Sequence, residues 1–120
     1  MILMQKIATV LIAATLIILP SLVLANTNAP SAVENGQRNY QALCLACHGE
    51  LGHGDGIAAQ ALNEQPSNIY QELSSWFESE AELIDAVLNG NEEMPAWGHE
   101  LNEKQVKEIF AYIESINQAK

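Results

Sequence analysis

The sequence predicts an all-α fold of three main helices and one short helix, joined by long loops. Three observations predict it. No stretch alternates β-branched and polar residues as a half-buried strand would, helix-start signals open three apolar stripes at helical spacing, and glycine- and proline-bearing segments separate those stripes. At 120 residues the chain makes one small domain at most.

The first quarter is expected to stand apart from that domain. Met1 to Lys6 carries a lysine, Ile7 to Leu19 is almost wholly apolar, Pro20 breaks the run, and Val23, Leu24 and Ala25 precede the polar "NTNAP". That order reads as a secretory signal peptide over residues 1–25, cleaved after Ala25. The alternative is an uncleaved anchor, since Ile7 to Ala25 approaches the length of a membrane span. Either way the rest of the chain is expected outside the cytoplasm, periplasmic or anchored facing the periplasm. Residues 26–30 form a short lead-in, and residues 31–118 form the domain.

All 15 acidic residues follow the leader, against Arg38, Lys104, Lys107 and Lys120, so the cleaved chain carries a net charge of −11. Such a surface excludes nucleic acid and anionic lipid as natural partners and steers a basic protein face toward it. A domain this short also buries too little surface to be comfortably stable alone. Something extra is expected in its core.

Each helix has a local cause. Ser31 and Glu34 have capping-box spacing, opening a first helix from about Ala32 to Cys44 with Val33, Tyr40 and Leu43 on one side. "HGELGHGDG" follows, too rich in glycine for a regular element. Ile57 to Leu62 suits the short helix, which "NEQPSN" ends. Ser79 and Glu82 repeat the capping box ahead of Leu83, Ile84, Val87 and Leu88, and Asn89-Gly90 stops that stripe. Pro95 keeps Met94 out of helical geometry. Asn102 caps the last helix, whose face is Val106, Ile109, Phe110, Ile113 and Ile116, with Glu103, Lys104, Lys107 and Glu114 directed away.

The chemistry concentrates in "CLACH", where Cys44 and Cys47 are the only cysteines and His48 follows at once. A disulfide across the pair, or a thioredoxin-type redox couple, uses the thiols and leaves His48 without a role. A zinc site would need His53 or His99 as a fourth ligand, and adjacent ligands at 47 and 48 strain a tetrahedron. Covalent attachment of one haem c uses all three residues: thioethers from Cys44 and Cys47, and His48 on the iron. A sixth ligand would come from Met94, His53 or His99. Met94 is preferred, being the sole methionine after the leader, 46 residues beyond His48 and held in an extended strap by Pro95. Its plain alternative is a core gap-filler. "GHGDG" has neither the preceding strand nor the following Lys-Ser/Thr of a phosphate cradle, so it is assigned to wrapping the haem edge.

With these residues in hand, the chain from about Ser31 to Ile116 resembles a class I cytochrome c. The resemblance rests on "CLACHGELGHGDG", "AAQALNEQPSN", "MPAWG" and the closing "IFAYIESI". The form is nearest the small bacterial monohaem domains, which also occur fused in oxidase and dehydrogenase subunits. The resemblance implies a cytochrome c fold, its loops wrapped around a covalently attached haem. It implies that Gly36 and Tyr40 on the first helix cross the last helix at Ile109 and Tyr112. It further implies a proline carbonyl against the far nitrogen of the axial histidine, with Pro66 the candidate, and an aromatic near the haem propionates, with Trp97 the candidate. Leu62, Leu83 and Val87 are expected to bury the ring.

The function so implied is one-electron transfer between redox proteins of a respiratory or dehydrogenase chain, with partners that present a basic docking face. A membrane would enter through the leader or through a membrane complex. Two rivals remain. One is a haem enzyme or gas sensor with a displaceable sixth ligand; the other, if no haem is attached, is a CxxC thiol oxidoreductase.

Overall fold

The structure, a computed structural model, describes residues 29–119. The expected signal peptide and its cleavage point lie outside the described residues. Among the described residues five α-helices appear in order: α1 (Ala32–Leu43), α2 (Leu45–His48), α3 (Ile69–Leu73), α4 (Glu80–Asn89) and α5 (Glu103–Gln118), with a 3-10 helix at Ile57–Ala61 between α2 and α3. No strand forms among the described residues beyond one isolated antiparallel bridge, Asn91 to Met94. The all-α expectation is met.

The helix starts are chemical. Glu34 N–H donates to Ser31 Oγ at 3.2 Å, and Ser31 N–H donates back to the Glu34 carboxylate at 2.7 Å. Ser79 and Glu82 repeat the exchange at 3.3 and 2.9 Å, and Asn102 and Gln105 do so at 3.0 Å each way. A cap of this kind contributes about 1 kcal/mol.

The core lies where α1 crosses α5. Gly36 permits the crossing, because a Cβ there would sit 1.9 Å from the Glu108 carbonyl oxygen. One turn on, the Tyr40 and Tyr112 rings meet tilted, with centroids 5.7 Å apart. Val106, Ile109, Phe110 and Ile113 of α5 join Tyr40, Ile84, Leu101 and Cys44 in the buried cluster. Burial of each large apolar side chain is worth roughly 1.5–3 kcal/mol. The crossing pairs Gly36 and Tyr40 with the Ile109 and Tyr112 region of α5, as the resemblance implied.

Four details differ from expectation. The first helix stops at Leu43, and the Cys44 bend (φ −115°, ψ −37°) starts a separate turn, α2. The helix α3 has no counterpart in the sequence reading; Asn68 caps it by accepting from Gln71 N–H at 3.0 Å. Val33 is exposed rather than packed with Tyr40. Glu108 is buried because its backbone forms the crossing with Gly36, and its carboxylate lies 3.6 Å from the Lys104 ammonium. Among the described residues, no helix is long and apolar enough to cross a membrane.

Candidate cofactor site

One wall of the site grows from the end of α1. After the Cys44 bend, Cys47 and His48 donate their amides to the Cys44 carbonyl at 3.1 and 2.9 Å, which puts both thiols and the imidazole on one turn. The glycine loop then folds back on that turn. Gly54 and Gly56 donate to the carbonyls of His48 and Cys47 at 2.9 and 3.0 Å, and Ile69 N–H donates to Gly52 at 2.7 Å. Gly54 has φ +77°, and a Cβ there would lie 2.0 Å from the Pro66 carbonyl oxygen, so only glycine fits. From below, the fully buried Tyr40 donates its hydroxyl to the Gly49 carbonyl at 2.5 Å.

His48 Nδ1 lies 3.0 Å from the Ser67 carbonyl. A carbonyl only accepts, so Nδ1 carries the proton and Nε2 keeps its lone pair. Burial lowers the imidazole pKa, with the Ser67 carbonyl partly opposing, and the ring stays neutral as a metal ligand must. The acceptor is therefore Ser67, not Pro66. The correction has a steric cause: the Pro66 carbonyl is turned onto Gly54, and the next carbonyl along meets the imidazole. Cys44 and Cys47 are both free thiols. Burial foremost, with Cys47 adding, pushes Cys44 up to about 12.

The opposite wall is a strap. Helix α4 ends at Gly90 (φ +82°), after which Asn91 and Met94 exchange backbone bonds at 3.1 and 2.8 Å around Glu92 at φ +50°. Trp97 and Gly98 then donate to the Val87 and Leu88 carbonyls at 2.9 Å each, returning the chain to α4. The Glu93 carboxylate accepts from Asn63 N–H at 2.9 Å, Asn63 Nδ2 at 2.5 Å and Glu64 N–H at 3.3 Å. The Asn63 side chain foremost, then the Glu64 amide, hold its pKa below the usual carboxylate range.

Between the walls lies a cavity of about 620 Å³, within the range of sites that hold small-molecule cofactors. All six residues singled out by the sequence line it: Cys44, Cys47, His48, Pro66, Met94 and Trp97. So do Leu62, Leu83 and Val87, the expected apolar cover. His53 instead bonds Asn117 at 2.9 Å, and the His99 side chain is 71% exposed beside Glu100. Neither lines the cavity, which leaves Met94 as the one of the three candidate sixth ligands that does.

Sequence reasoning missed several features here. Leu43 and Phe110 supply apolar wall that was assigned only to helix faces. Glu64, Glu72, Glu78, Glu82, Glu92 and Glu93 join the cavity lining, and among the described residues no lysine or arginine does. Trp76 and Phe77, 85% and 77% exposed, meet tilted with ring centroids 4.1 Å apart in the segment between Glu72 and Glu78. Two adjacent aromatics outside every apolar stripe were the available signal.

Comparison with known proteins bears on this arrangement. Residues 31–113 match the family described as cytochrome C oxidase, cbb3-type, subunit III. The chain is 28% identical over 97 residues to the Cbb3-type cytochrome c oxidase subunit CcoP of Azospirillum sp. (strain B510), covering 73% of this chain and 30% of that protein. It is 28% identical over 93 residues to CcoP of Azospirillum brasilense, covering 75% and 30%. Against subunit FixP of Azorhizobium caulinodans it is 28% identical over 86 residues, covering 71% and 27%. The chain thus spans less than a third of the length of these curated relatives.

Proposed function

The chain belongs to the family described as cytochrome c oxidase, cbb3-type, subunit III, and from that membership we propose that it is a monohaem c-type cytochrome domain, a one-electron carrier between redox proteins. The observation that carries the reading is that two free thiols, a neutral buried imidazole and the strap methionine line one apolar cavity. That donor set fits haem c: thiols to bond the porphyrin, His48 Nε2 and Met94 sulfur to hold iron.

Haem c, when bound, would supply an iron that takes up and gives back one electron. The protein's part is to hold it. Cys44 and Cys47 fix the ring to the α1–α2 wall, and the Ser67 carbonyl orients His48. The neutral thioether of Met94 and the apolar part of the lining would favour the less positive iron state and raise the reduction potential, while the glutamates of the lining would act in the opposite direction. With His48 and Met94 both kept on the iron, the electron transfer would need little rearrangement of this chain. In this reading the chain is an electron-transfer component and not itself the catalyst, although the relatives are named as oxidase subunits.

The carboxylate-lined cavity mouth, with Trp76 and Phe77 in the same segment, supports a partner with a basic docking face. We place the domain in the periplasm, free or docked on a membrane complex.

The test is spectroscopic. The full chain from a host competent in cytochrome maturation should keep its Soret band after acid-acetone extraction and give a haemochrome of one haem per chain. A ferric band at the red end should mark the methionine bond; Met94→Ala should lose it and gain carbon monoxide binding in the ferrous form. Carbon monoxide binding by the unaltered protein would favour the haem enzyme or gas sensor. A colourless protein would leave the thiol oxidoreductase.

A further inference from the structure

We propose that Glu93 is a positioning residue: its carboxylate latches the tip of the Met94 strap to the opposite loop, and so sets how readily Met94 leaves the cofactor iron. The inference rests on the reading of Met94 as an axial ligand and goes beyond it.

The strap is fixed at its ends and free at its tip. Trp97 and Gly98 bond α4 at one end, and the Asn91–Met94 exchange closes the other on itself. Among the described residues, Glu92, Glu93 and Pro95 make no backbone–backbone bond to another wall. Proline has no N–H to offer. The tip therefore needs a side chain to hold it over the cavity.

Glu93 supplies that hold, and its partners are suited to it. The 3-10 helix ends at Leu62 in extended geometry (φ −91°, ψ 150°), which leaves the next two amides beyond the helix. Glu93 accepts from both, and from the Asn63 side chain, so one carboxylate takes three donors from a loop 30 residues earlier. Both joined segments line the cavity, through Leu62, Glu64 and Gln65 on one side and Glu92, Met94 and Pro95 on the other.

Opening of the strap is read by the rate at which added imidazole replaces Met94 on the ferric haem of the full chain. Removing three exposed bonds to a carboxylate with Glu93→Ala should raise that rate about fivefold and weaken the ferric methionine band. Glu93→Gln keeps one oxygen for both backbone amides, while its NH2 faces the Asn63 NH2 and regains that bond only when the Asn63 amide turns over, so its rate should lie between those of the unaltered protein and Glu93→Ala. Asn63→Ala removes one of three donors and should fall between. An unchanged rate and band in Glu93→Ala would overturn the latch. So would a Glu93→Gln as fast as Glu93→Ala, since charge alone would then be at work. An unaltered protein lacking the band would overturn the Met94 reading and this proposal with it, a failure visible before any variant is made.

Discussion

The wall that carries Cys44, Cys47 and His48 is tied together by backbone groups, whereas the wall that carries Met94 is closed by side chains. On the histidine side, carbonyls at 44, 47, 48, 49, 52 and 67 take the bonds, and glycines let the chain fold back on itself. On the methionine side, the ends of the strap have backbone bonds but the tip depends on Glu93, and α4 begins at the Ser79–Glu82 exchange. The difference teaches what each half is built for. On the proposed reading, the thiol anchor needs a fixed bed, and a backbone bed tolerates little substitution. The sixth ligand then needs a hold whose strength can be set, and side-chain bonds are tuned one residue at a time.

The strongest test applies one substitution to both walls. Gly54 and Gly90 have φ of +77° and +82°, and Gly90, at ψ 163°, lies in a region almost reserved to glycine, so alanine strains either by about 1–3 kcal/mol. The surroundings then decide. At Gly54 the new Cβ would lie 2.0 Å from a backbone carbonyl oxygen, whereas at Gly90 the nearest backbone atom is 2.9 Å away. Gly54→Ala should cost about 3 kcal/mol or more, and Gly90→Ala less than that, about 1–3 kcal/mol, in denaturant unfolding of the haem-loaded protein. Equal losses would dissolve the distinction between the walls.

A smaller effect sharpens it. Tyr40→Phe removes the hydroxyl that bonds the Gly49 carbonyl and leaves that acceptor only the long Gly52 N–H bond at 3.4 Å, beside a fully buried ring. The expected loss is about 1–2 kcal/mol of stability. Because Gly49 follows His48, the change belongs to the histidine wall, and the ferric methionine band should be untouched. A band that shifts with Tyr40→Phe would mean that the walls are coupled through the core.

The same division explains what was legible in the sequence. Capping boxes at Ser31, Ser79 and Asn102 span four residues each, and the α5 stripe repeats locally, so three main helices could be read directly. Cys44, Cys47 and His48 are contiguous enough to be seen as one group, and Met94 stood out by being alone. The Glu93 latch was invisible because its partners are 30 residues away and exposed glutamates carry no local mark. Helix α3, five residues after a breaker, is too short for a periodic signal. Ser67 and Pro66 differ by one carbonyl, a choice made by the Gly54 contact and not by any side chain.

The smallest effect is expected from acid. The carboxylates of Glu82 and Glu93 are held below the ordinary value of 4.5, Glu82 by the Ser79 amide foremost and Glu93 by the Asn63 side chain foremost. A depressed carboxylate stabilises fully above its unfolded value and loses that contribution as pH falls through its folded one. Both groups serve α4 and the strap. The bonds around His48 come from carbonyls, which do not titrate in this range. Glu34 is depressed likewise, but it caps the far end of α1, ten residues before Cys44. Below pH 4.5 the ferric methionine band should therefore fade before helical circular dichroism does. Glu82→Gln with Glu93→Gln should move that fading to lower pH, because their amides keep acceptors that do not protonate. Band and helix lost together at one pH would show that acid acts on the whole fold, with no softer wall.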